Sequence, residues 1–214
     1  MTVLIFEGPD NLGKSTIINS LVNEYKDVKD ICMMHSTGPH CKKGEDPFKC
    51  QKKSFLAKVS KIYSLAINEI SVLQEHNTDN LVIFDRSWIG EYVYGQIYRK
   101  GDKAAILDMI DTCNDLIGDI KCVFVQLTAS PEFIIEHDDN KSFTSNYDKE
   151  KRLASVKHEI ELFDEAFDKM EINAKTMIKI KVNVQDSSNP MNYRPIQDIV
   201  NEIKNSFKQV MIKL

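Results

Sequence analysis

Arginine is scarce in this sequence. Of 28 basic residues only four are Arg, at positions 86, 99, 152 and 194, and the remaining 24 are Lys. A guanidinium fork grips phosphate oxygens in pairs, whereas an ammonium acts as a point charge. Any phosphate chemistry here must therefore use those four positions sparingly. Long apolar runs are missing as well. No stretch approaches the roughly 20 apolar residues of a membrane span. The run Val3 to Phe6 gives way at once to Glu7 and Gly8, which is too short for the apolar core of an export signal. Six Pro and eight Gly exclude a collagenous or low-complexity chain. The five Cys, at 32, 41, 50, 113 and 122, are odd in number and contain no C-x-x-C pair. That pattern predicts reduced thiols in a cytoplasmic protein. His35, His40, Cys41 and Cys50 fall close together but match no common zinc spacing, so they are read as part of a polar loop. The net charge of −4 offers no global basic field for nucleic acid or a membrane surface.

What is present is a globular composition, 42% hydrophobic and 28% charged. A chain of 214 residues buries roughly 70% of its unfolded surface, enough for one core without staples. There is no internal repeat and no linker rich in Pro, Gly or Ser, so residues 1–214 are expected to form a single domain.

Strand-like and helix-like patterns alternate along it. Thr2 to Glu7, Ile31 to His35, Leu81 to Phe84 and Cys122 to Leu127 are short apolar runs, read as buried strands. Met177 to Val184 alternates apolar with polar, a half-exposed fifth strand. Helical spacing covers Lys14 to Tyr25, about Phe48 to His76, Trp88 to Ile117 with a break near Gly101, Lys149 to Met170 and Ile196 to Val210. Pro131 opens a further short helix, because its fixed φ suits a first turn. Strands alternating with helices predict a three-layer α/β fold with a mainly parallel five-stranded sheet. Ligands in such sheets lie beyond the carboxyl ends of the strands.

At the first of those ends stands Gly8-Pro-Asp-Asn-Leu-Gly13-Lys14-Ser15, the pattern G-x-x-x-x-G-K-[ST] of a phosphate-binding loop. Two Gly allow the backbone to turn tightly and approach phosphate oxygens. Lys14 would reach the β- and γ-phosphates, Ser15 would offer its hydroxyl to Mg²⁺, and the following helix would aim its N-terminus at the anion. A GTPase would add an Asn-Lys-x-Asp motif; the nearest match, Asn140-Lys141-Ser142-Phe143, lacks the Asp. At the third strand end stands Asp85-Arg86-Ser87. A carboxylate there can hold Mg²⁺ or take a proton from a nucleophile, and Arg86 can bridge donor and acceptor phosphates.

These residues resemble a known family. Phe6 to Thr16 is similar to the P-loop of thymidylate kinases, which read close to F-E-G-x-D-G-x-G-K-S-T, and Asp85-Arg86 matches that family's Asp-Arg pair. Leu127 to Glu132 resembles its fourth strand followed by a Pro-Glu helix start. Related deoxynucleoside kinases carry Glu-Arg-Ser where this chain has Asp85-Arg86-Ser87. The resemblance implies an ATP- and Mg²⁺-dependent kinase of a deoxynucleoside monophosphate, with a dTMP-like acceptor and a homodimer as the common state. It implies ATP binding by Gly8, Asn11, Leu12, Gly13, Lys14, Ser15 and Thr16, with Arg152 from a lid. Lys14, Arg86 and Asp85 would be catalytic, and Ser15 with Asp85 would hold the metal. Asp10 would face the acceptor beside Arg86 and Tyr94, with Arg99 in reserve. The family's acceptor helix carries an Arg that meets the pyrimidine; here Tyr63 to Glu69 has none. Tyr63 then either stacks on the base or packs in the core. The lid is expected in residues 137–152, where His137 to Tyr147 has few apolar side chains.

Two other readings stay open. The acceptor is a nucleoside or a hydroxyl on modified DNA, in which case Asp85 is the base; the acidic net charge disfavours DNA. Alternatively the chain binds nucleotide without catalysis and signals to a partner.

Overall fold

A computed structural model describes residues 2–27, 30–35, 63–65, 67–68, 80–99, 103–117, 120, 122–139, 147–169 and 177–212. Five strands build its sheet: β1 (Thr2–Glu7), β2 (Ile31–His35), β3 (Leu81–Asp85), β4 (Cys122–Thr128) and β5 (Met177–Asn183). Their order is β2-β3-β1-β4-β5 and every pairing is parallel. The helices are α1 (Lys14–Tyr25), α2 (Gly90–Arg99), α3 (Lys103–Ile117), α4 (Pro131–Glu136), α5 (Lys149–Lys169) and α6 (Ile196–Ile212).

The central strands read as continuous apolar runs because both faces are covered. Alternate side chains of β1 go to opposite layers. Val3 and Ile5 join Val82, Phe84, Cys122 and Phe124 against Trp88, Tyr92, Ile110 and Phe163. Leu4 and Phe6 join Ile83, Val125 and Val182 against Ile17, Ile18, Leu21, Phe133 and Ile203. Helices α2, α3 and α5 thus cover one face, and α1, α4 and α6 the other. β5 follows the expected half-exposed pattern, with Val182 buried and Lys181 and Asn183 exposed. Trp88, fully buried, meets Tyr63 and Phe84 edge-on, and its Nε1 donates to Asn114 Oδ1 at 2.9 Å, so its one polar atom is satisfied.

Register places the chemistry. Phe6 pairs with Asp85 across β1–β3, and His35 pairs with Asp85 across β2–β3. The carboxyl ends of the three strands therefore coincide, and the loops leaving them share one edge. The expected long helix at about 48–76 lies almost wholly outside the described residues, as do His40, Cys41 and Cys50. Cys32, Cys113 and Cys122 are free thiols. Among the described residues no helix is long and apolar enough to cross a membrane.

Candidate active site

The loop between β1 and α1 turns through three left-handed residues: Gly8 (φ 134°), Asn11 (φ 62°) and Gly13 (φ 71°). At Gly8 a Cβ would lie 2.4 Å from the Leu127 carbonyl oxygen, so only glycine fits. Asn is among the few side chains that tolerate this region. Gly13 precedes the first helical residue, and no side chain caps α1 there. Its first-turn N–H groups are thus left to face an anion. The loop walls an open cleft of about 470 Å³, lined by Asp10 to Thr16, Arg86 and Asp139. Ser15 and Thr16 are exposed on its wall.

Lys14 is buried, and its Nζ donates to the carbonyls of Gly8 at 2.7 Å and Pro9 at 2.6 Å. Burial pulls its pKa down while Asp10 pulls it up. Across the cleft stands Arg86, another left-handed residue, with φ 70°. Its Nη2 pairs with Asp10, and its guanidinium carbon lies 5.9 Å from the centre of the Tyr94 ring. Burial opposes its charge, but Asp10, followed by Tyr94 and Glu7, more than restores it. Asp85 is buried, and its Oδ2 lies 2.9 Å from His35 Nδ1. Asp85 is not among the residues that line the cleft, whereas Ser15 is; each offers oxygen, the donor type Mg²⁺ accepts.

Beyond these groups the structure adds Glu159, Glu7 and Tyr193, which the motifs did not single out, and sets the expected Tyr94 beside Arg86. Tyr94 donates to Glu159 Oε1 at 3.0 Å. Burial, helped by the nearby Asp10 charge, pushes the Glu159 carboxyl up to about 7. Burial pushes the Glu7 carboxyl to about 7 as well, against hydrogen bonds from Ser87 and the charges of Lys14 and Arg86. Tyr193, from the segment after β5, donates its phenol to the Asn11 carbonyl at 2.7 Å. Its ring meets Phe133 and His137 edge-on.

Not every expected residue converges. Tyr63 is buried against Trp88 in the core and does not line the cleft. The reading of Tyr63 as a base-stacking residue is therefore dropped in favour of its helix-stripe alternative. Arg152 is bound to Asp138, whose Oδ1 accepts from Asn11 Nδ2 at 3.2 Å. That bridge ties the two stems of the 137–152 segment to the P-loop, while residues 140–146 lie outside the described ones. The Arg99 side chain also lies outside them.

The P-loop, its buried lysine and the strand order define a three-layer α/β P-loop fold. No protein-family model and no curated protein matches the sequence. Solved structures do. The YorR protein of Bacillus subtilis, determined with phosphorylated GDP, superposes with a TM-score of 0.53 at 20% identity, covering 96% of this chain and 98% of that one. Deoxyadenosine kinase of M. mycoides, determined with dCMP and dCDP, gives 0.52 at 15% identity over 98% and 100%. Polyphosphate kinase 2 of Arthrobacter aurescens TC1 gives 0.57 at 15% identity; 99% of this chain spans 66% of that one. At such identities the likeness is one of fold.

Proposed function

We propose that this protein is a P-loop kinase that uses ATP and Mg²⁺ to phosphorylate a deoxynucleoside monophosphate, dTMP-like in its acceptor. The observation that carries the reading is Arg86. One of only four Arg in the chain is held in a left-handed conformation at the mouth of the P-loop, paired with Asp10 on the opposite wall. A permanent cation in that place suits an acceptor that carries a phosphate, and an incoming phosphate would displace Asp10 from it.

Lys14 would bind the donor phosphates once they compete with the Gly8 and Pro9 carbonyls for its ammonium. The N–H groups of the loop and of the first turn of α1 would orient the same oxygens. Ser15 and Asp85 would hold Mg²⁺, which supplies charge neutralisation at the transferred group. The residues then work by positioning and by charge rather than by a covalent intermediate.

A second reading is supported by the His35–Asp85 contact, 2.9 Å apart at adjacent strand ends. A carboxylate held by an imidazole can take a proton, which a nucleoside hydroxyl must lose and a monophosphate need not. The deoxyadenosine kinase likeness leans the same way. Incubation with ATP, Mg²⁺ and a panel of deoxynucleosides and their monophosphates separates the two. ADP formation that depends on a monophosphate supports the first. Dependence on a nucleoside alone replaces it with the second, and no acceptor-dependent ADP formation overturns both.

A further inference from the structure

Glu7 is wholly buried at the carboxyl end of β1, between the two halves of the site. Its Oε1 accepts three hydrogen bonds: from Ser87 N at 2.6 Å, Ser87 Oγ at 2.7 Å and Gly90 N at 3.1 Å. All three donors belong to the turn that begins immediately after Arg86 and leads into α2. On the other side of Arg86, its own N–H donates to the Phe6 carbonyl at 3.0 Å. The neighbours in sequence, Phe6 and Glu7, thus fasten the chain before and after Arg86. Arg86 has the left-handed φ of 70° that non-glycine residues adopt only when their surroundings force it. The fit is close: a Cβ on Gly90 would stand 3.2 Å from Glu7 Oε2. That second oxygen has no hydrogen-bond partner, so a buried polar atom is tolerated here at a cost.

We propose that Glu7 is a positioning residue that acts through Arg86, holding the 86–90 turn so that the guanidinium faces the P-loop. Glu7 is not among the residues that line the cleft. A carboxylate at this place spans β1, the β3–α2 turn and the first N–H of α2 at once, which no apolar side chain of its size can do. The inference rests on Arg86 serving a phosphate, and the test separates the two ideas.

Only four Arg are present, so arginine-labelled protein gives four Nε–Hε correlations, and Arg86→Lys identifies the one from Arg86. In Glu7→Ala the Arg86 signal is expected to shift or broaden while those of Arg152 and Arg194, bound to Asp138 and Glu202, stay in place. Turnover should fall on the order of tenfold to a hundredfold, the scale of a misplacement of about 1 Å. The KM for ATP should stay near that of the unaltered protein. Glu7→Gln keeps an oxygen acceptor and should restore most of the rate. Glu7→Ala combined with Arg86→Ala should be no slower than Arg86→Ala alone. An unmoved Arg86 signal, or losses that add in the double variant, would overturn the proposal. If Glu7→Ala does not fold, Ser87→Ala removes one donor and should show a smaller displacement of the same signal; no displacement there also overturns it. A displaced Arg86 signal with Arg86→Ala fully active keeps the positioning role and sinks the phosphate role.

Discussion

Tyr94 donates its phenol to Glu159, joining α2 to α5, with the Arg86 guanidinium near the face of the same ring. The helix that follows the candidate lid is therefore linked by two contacts to the residue expected to meet phosphate. Glu159 belongs to the buried face of α5 with Val156 and Phe163, a carboxylate in an otherwise apolar stripe.

That burial gives a pH signature. The folded-state pKa of Glu159, about 7, lies above the ordinary 4.5. The folded protein thus holds this proton more tightly than the unfolded chain. Its contribution to stability is complete below about pH 4.5 and is lost as pH rises through about 7. Glu159→Gln removes the dependence. Melting temperatures measured from about pH 5 to about pH 8 should show the variant gaining on the unaltered protein by several degrees. A constant difference across that range would be the wrong result.

Arg86→Ala should lower turnover roughly 10³-fold, and Lys14→Ala by a similar order, because each removes charge stabilisation that water cannot replace in the cleft. Circular dichroism should remain that of the folded protein. Full activity in Arg86→Ala, read by ADP formation, would remove that residue from the site.

Gly8→Ala should be among the most damaging single changes. Both the φ of 134° and the Leu127 carbonyl, 2.4 Å from the new Cβ, oppose it. Strain of a few kcal/mol or more corresponds to a fall in melting temperature of about 10 °C for a chain of this size. Thermal denaturation checks it.

Asp138→Ala should destabilise more than Asp138→Asn. Arg152 and Asp138 are both largely buried, and removing the acid strands a guanidinium at a cost of about 3 kcal/mol or more. The Asn variant retains an acceptor for Arg152 and Asn11. Since Asn11 Nδ2 bonds the same carboxylate, the KM for ATP should rise in the Ala variant as well. Unchanged KM and melting temperature would show that the bridge does not support the loop.

The layered fold was legible because its signals are local. Thr2–Glu7, Lys14–Tyr25 and Ile31–His35 begin and end where apolar periodicity and Gly place them. The P-loop is contiguous, so eight residues announce it. Other parts of the site were not legible in this way. Glu7 is a single acid at the end of an apolar strand, and its role depends on a turn 80 residues away, from which Ser87 reaches it. Glu159 and Asp138 look like ordinary charges in polar or amphipathic sequence. Tyr63 could be read toward either a base or the core, and contact with Trp88 decided for the core.

By itself the sequence determined the order of strands and helices, the loop that must turn at Gly8 and Gly13, and the presence of Asp85-Arg86 at a strand end. Short-range sterics and hydrophobic periodicity are enough for these. Which groups meet at and behind the cleft was decided only by parallel register and helix packing. They bring Arg86 onto Asp10, Tyr94 onto Glu159 and Glu7 onto the 86–90 turn, and they commit Arg152 to Asp138 instead of leaving it free. Burial then pushes the Glu7 and Glu159 carboxyls up, because desolvation acts on a group only after distant segments have closed around it.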